Sequence, residues 1–104
     1  MEKKDLAMIG FEMVAYSGEA RSFYIEALRE AKKGNWNKTE ELMDKAKNSL
    51  LKAHDIQTQL LAREADDENL DLGYILVHGQ DHLMSSMLLK DMMEFLIDIY
   101  KDRE

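Results

Sequence analysis

Two imidazoles, a carboxylate and an amide stand within five consecutive residues, His78-Gly79-Gln80-Asp81-His82. Between Leu72 and Leu89 the only formal charge is Asp81, and the neighbours include Ile75, Leu76, Val77, Leu83, Met84, Met87 and Leu88. Burying an unpaired polar group costs free energy, so a polar cluster in an apolar stretch marks a candidate site. On a helix each residue turns about 100°, which puts His78, Asp81, His82 and Ser85 on one face. Gln80 points away from that face, toward a different neighbour, and in an oligomer that neighbour can be a site on another subunit. Three chemistries fit the cluster. Histidines at i and i+4 with a carboxylate between them suit zinc, although the glutamate of H-E-x-x-H, which hydrolytic zinc sites need, is absent. A neutral imidazole nitrogen can accept a phosphoryl group while a second histidine or hydroxyl stabilises its oxygens. The residues can also form a satisfied hydrogen-bond network that fixes helix register and does nothing else.

The elements that must position this cluster are helical. The chain has no proline, five glycines and no strand-type alternation, so long helices can run unbroken. A stripe at alternating spacings of three and four, through Leu6, Ile9, Met13, Tyr16, Ala20, Phe23, Ala27 and Ala31, predicts a helix over about 6–33. Gly10 and Gly18 weaken it and mark close packing or a bend. Lys32-Lys33-Gly34 ends it with cations and then a glycine free to turn left-handed. Asn35 or Asn37 caps a second helix over about 37–65, and Asn37 with Glu40 has capping-box spacing. Its stripe is Met43, Ala46, Leu50, Ala53, Gln57 and Leu60. Asp66-Asp67-Glu68-Asn69 reads as an acidic solvated link. It lacks the glycine and ligand pattern of a calcium loop.

The third helix, about 72–101, carries the cluster. One stripe runs Ile75, His78, His82, Ser85, Leu89, Met92, Leu96, Ile99, placing both histidines at seam positions. A second runs Val77, Asp81, Met84, Leu88, Phe95, and a third Leu76, Leu83, Met87, Ile97, Tyr100. A helix apolar nearly all round needs cover on several sides, more than two partner helices provide. The expectation is a homo-oligomer whose third helices meet at a shared axis.

Composition narrows the class. At 104 residues, 45% hydrophobic and 34% charged, the chain suits one globular domain, 1–104. Without cysteine there is no disulfide, thiolate metal site or cysteine nucleophile. Met1-Glu2-Lys3-Lys4-Asp5 is mixed in charge and does not read as a signal peptide. The Leu72–Leu89 run is interrupted by polar groups and reads as a buried helix, not a membrane span. A net charge of −7 without a basic patch argues against nucleic acid.

Beyond these patterns, Val77-His78-Gly79-Gln80-Asp81-His82-Leu83-Met84 resembles the active-site signature of the enzyme IIA component of the lactose/cellobiose-type phosphotransferase system. Gly10 through Arg21 resembles that family's first helix, including Gly18-Glu19-Ala20-Arg21. Gly34-Asn35-Trp36 stands where the family has Gly-Asp-aromatic, a minor exchange because both asparagine and aspartate cap helices. Ala53-His54-Asp55-Ile56-Gln57-Thr58 is similar to its A-H-x-x-Q-T segment. The similarity runs from about residue 6 to residue 101, in order. It implies an all-α fold, an antiparallel three-helix bundle subunit assembling as a nine-helix homotrimer. It implies a cytoplasmic phosphoryl carrier that receives phosphate from HPr and passes it to enzyme IIB, with the membrane involved only through the sugar permease; lactose, cellobiose, chitobiose and other β-glucosides all fit. His78 would be the phosphoryl acceptor, with His82 and Gln80 in its environment. Asp81 would meet its copies at the threefold axis and hold a divalent cation, magnesium first among the choices, with no organic cofactor.

Other residues have plainer readings. His54 suits a structural hydrogen bond. Arg21 near Glu19 suits a structural ion pair or surface group, with the rim of the site as the other placement. The methionines suit adaptable core packing, and Trp36 suits burial at the first turn. Rival functions are a histidine phosphotransfer domain of two-component signalling, which normally has lysine and glycine soon after its histidine, and a non-catalytic bundle assembled by metal.

Overall fold

The computed structural model describes residues 1–103, three long helices with no strand among them. Helix α1 is Lys3–Lys32, α2 is Trp36–Ala65 and α3 is Tyr74–Lys101. Expected boundaries hold to within three residues. Gly34, at φ 78°, ends α1 in the left-handed conformation that glycine adopts without strain. The expected capping box does not form: Asn37 lies inside α2, and Asn35 is the N-cap residue without a side-chain cap bond. Asn35 instead donates Nδ2–H to the Glu30 carboxylate at 2.8 Å, clipping the turn across its back.

The chain runs up, down, up. Helix α1 is the central element, packed along both α2 and α3, which touch each other far less. Gly10 lies against Leu76 and Ser17 against Ser86, so α1 and α3 run parallel, while α2 is antiparallel to both. The bundle measures 54 × 20 × 18 Å. Its core takes Leu6, Met13, Ala20, Tyr24 and Ala27 from α1, Leu42, Ala46, Leu50, Ala53 and Leu60 from α2, and Leu76, Leu83 and Met93 from α3. Burial among these groups, and secondarily the Asp91 carboxylate, pushes the Tyr24 phenol above its ordinary value.

Two further sequence expectations change. The 66–69 link is tethered as well as solvated: Arg63 pairs with both Glu68 carboxylate oxygens at 2.9 Å, and Asp67 takes a positive φ of 64°. The larger correction concerns α3. Its seam with α1 is not the stripe holding the histidines but Leu76, Gly79, Leu83, Ser86 and Met93. Small residues decide this. An added Cβ at Gly79 would stand 2.7 Å from the Gly10 carbonyl oxygen, and one at Gly10 would stand 2.9 Å from Leu76 Cα. The two backbones are in direct contact there, an approach open only to glycine.

Candidate functional site

The Gly10–Gly79 contact fixes where α3 faces, and the polar cluster is placed by it. With Gly79 against α1, His78 and Asp81 fall on the exterior and His82 on the border, half-buried. The two imidazoles meet edge to face, with centroids 4.3 Å apart and planes at 62°. His82 Nδ1 lies 3.2 Å from the His78 carbonyl oxygen. A carbonyl only accepts, so this bond places the His82 proton on Nδ1. The neutral ring then offers Nε2 as an acceptor, and donating there to an anion requires the imidazolium.

Both histidines open on the groove between α1 and α3. Around His78 the walls are Phe11, Val14, Tyr74 and Ile75, enclosing about 300 Å³. Around His82 the groove widens to about 560 Å³, and Gly18, Arg21, Ser22, Glu26 and Arg29 line it. Arg21 therefore stands at the site's rim and not in an ion pair with Glu19. The Glu19 carboxylate faces the other way and accepts from Ser49 Oγ at 3.2 Å.

Gln80 faces α2, as its helical position predicts. Gln57 Nε2 donates to Gln80 Oε1 at 2.7 Å and approaches Met84 Sδ at 3.7 Å. The sequence placed Gln57 in the α2 stripe, yet only the α2–α3 register shows which residue it meets. His54 does not make the expected structural bond. Its ring has no hydrogen-bond partner among the described residues and lines a cleft with Lys47, Leu50, Leu51, Met87 and Lys90. Trp36 opens α2 with Lys101 Nζ 5.3 Å above its ring, in keeping with its expected place at the first turn. The methionines divide: Met13 and Met93 are fully buried, whereas Met8, Met84 and Met92 are exposed.

Asp81 lies in an open apolar strip along α3. Val77 is 54% exposed, Met84 53%, Leu88 62% and Phe95 70%. Such a strip is unusual on the outside of a stable monomer. No three histidine, aspartate or glutamate side chains converge as a metal site among the described residues, so His78, Asp81 and His82 do not form one within a single chain. No described helix is long and apolar enough to cross a membrane.

The sequence and the three-helix fold match known proteins closely. Residues 8–101 match the family described as the lactose/cellobiose-specific IIA subunit of the phosphotransferase system, and the chain belongs to that family. It is 46% identical over 101 residues, 97% of either chain, to the lactose-specific EIIA component of Streptococcus mutans. The corresponding Staphylococcus epidermidis component is also 46% identical over 97% of each chain. Among solved structures, the cellobiose-specific enzyme IIA of Bacillus anthracis superposes with a TM-score of 0.90 at 39% identity, covering 98% of this chain and 92% of that one. The chitobiose IIA of Escherichia coli, solved in complex with HPr, superposes with a TM-score of 0.76 at 32% identity, covering 98% and 96%.

Proposed function

We propose that this protein is a cytoplasmic phosphoryl carrier in sugar uptake, taking phosphate from HPr on His78 and handing it to an enzyme IIB. The observation that carries the reading is the exposed His78 ring, held against His82 at the mouth of an apolar groove. The nucleophile's lone pair forms a P–N bond as the P–N bond of the donor phosphohistidine breaks, and the electron pair of that bond returns to the donor ring. The step is isoenergetic in kind and needs no net proton. Its rate depends on alignment and on charge stabilisation around the moving phosphoryl. The solvent face of His78 leaves room for in-line approach by a partner protein. Apolar walls around it limit water, which would otherwise hydrolyse the labile phosphoramidate.

The open strip on α3 supports a homotrimer in which three copies cover one another's Val77, Met84, Leu88 and Phe95. Gln80, on the opposite side of α3 from His78, then serves a phosphoryl site completed by a neighbouring copy. Asp81 is the only charge in the strip, and bringing three carboxylates together on an axis raises their mutual repulsion. Three hard oxygen donors fit a divalent cation such as magnesium, which would supply charge neutralisation and hold the copies together. A single Asp81 would not suffice to hold such an ion.

The test is transfer of labelled phosphate from HPr, charged with phosphoenolpyruvate by the first enzyme of the system. Wild type is expected to gain acid-labile label and His78→Ala none, with its helix content and oligomeric mass unchanged. A labelled His78→Ala protein would move the nucleophile elsewhere.

A further inference from the structure

The groove beside the histidines is short of donors for an anion. His82 spends its Nδ1 proton on the His78 carbonyl, so in its neutral form it offers a phosphoryl oxygen only a lone pair. The chain as a whole carries a net charge of −7, which repels a dianion. Against this, the wide end of the groove holds two arginines, Arg21 and Arg29, and neither is in an ion pair among the described residues. They are not equivalent. Glu26 also lines the groove and sits three residues from Arg29, within reach on one helix face. The acidic residue closest to Arg21 in sequence, Glu19, is turned away toward Ser49 on α2. Helical side chains lean toward the preceding turn, so the Arg21 side chain lies over Gly18. A Cβ at Gly18 would meet nothing within 4 Å, and this glycine therefore serves no close packing. Its missing side chain leaves open space on the His82 side of Arg21.

The geometry points to Arg21 as the phosphoryl-binding cation of this site, its guanidinium fork taking two oxygens of the phosphoryl group beside His82 in the α1–α3 groove. The assignment rests on the phosphoryl-carrier reading above. A guanidinium presents paired donors that match phosphate geometry, keeps its charge at any working pH and exchanges no atoms in the step.

The experiment uses the full-length protein and the HPr transfer assay, with Arg21→Gln, Arg21→Lys and Arg29→Gln beside wild type. Arg21→Gln is expected to slow the transfer step about a hundredfold, the usual cost of removing one charged donor from an oxyanion. The half-saturating HPr concentration should move much less. Arg21→Lys, which keeps charge but not the fork, is expected to lose about tenfold, and decides the matter should the glutamine variant not fold. Arg29→Gln, whose guanidinium has Glu26 within reach, should lose clearly less than Arg21→Gln. Wild-type rates for both Arg21 variants would overturn the assignment and leave the carrier reading intact. Equal losses in Arg21→Gln and Arg29→Gln that vanish at high salt would also overturn it, as long-range steering of HPr. Failure of wild type itself to take label would instead remove the carrier reading.

Discussion

Single side chains differ widely in what their loss should do. Ser86 Oγ donates to the Ser17 carbonyl at 3.0 Å in a buried setting, whereas Ser17 Oγ is itself buried with no partner among the described residues. Ser17→Ala removes an unsatisfied hydroxyl and is expected to leave stability unchanged or raise it by about 1 kcal/mol. Ser86→Ala removes a second donor from a carbonyl that already accepts within α1, and should cost about 1 kcal/mol. Denaturant midpoints at constant slope would check both. At this scale the polar cluster stood out as a candidate site, but three chemistries fitted it, and only the family resemblance singled out His78 as the acceptor. The serine pair was not legible: serine has no helical pattern of its own, and its bond depends on where α1 meets α3.

Among the elements, α1 and α2 followed their stripes because each has one apolar face. Helix α3 has apolar residues nearly all round, so periodicity offered three seams, and the one through His78 and His82 was not the one taken. Backbone contact between Gly10 and Gly79 decided it. Gly10→Ala is accordingly expected to destabilise the fold by about 1–3 kcal/mol through overpacking, read from the urea midpoint, and to disturb the groove beside it. At the α1–α2 turn, the Asn35 amide first, and then Lys33 and Lys38, hold the Glu30 carboxyl below its ordinary value. A lowered carboxyl contributes stability above the unfolded-state pKa and loses it as pH falls through the folded-state value. Stability should therefore drop on acidification through the glutamate range, and by less in Glu30→Gln. Parallel pH series of melting temperature would show the difference, and identical curves would assign Glu30 no part.

For the whole molecule, three stripes on α3 carried one correct message, that two partner helices cannot cover it. The strip from Val77 to Phe95 is open in the single chain. The chain mass is 12.1 kDa, and sedimentation of wild type is expected at about three times that value, with Leu88→Glu falling to one. A wild-type monomer would remove both the shared Asp81 cation site and the cross-subunit role of Gln80. Membership of the IIA family sets aside the two-component and metal-bundle readings, which lacked motif support beyond the histidines themselves.

The strip and His78 share one helix, so on the carrier and trimer readings proposed above, residues that choose a neighbour and residues that do chemistry are inherited together. A cell expressing two relatives with interchangeable strips would build mixed assemblies, joining sites tuned for different uptake routes. Divergence at Val77, Met84, Leu88 or Phe95 would keep such routes separate without touching a phosphoryl ligand.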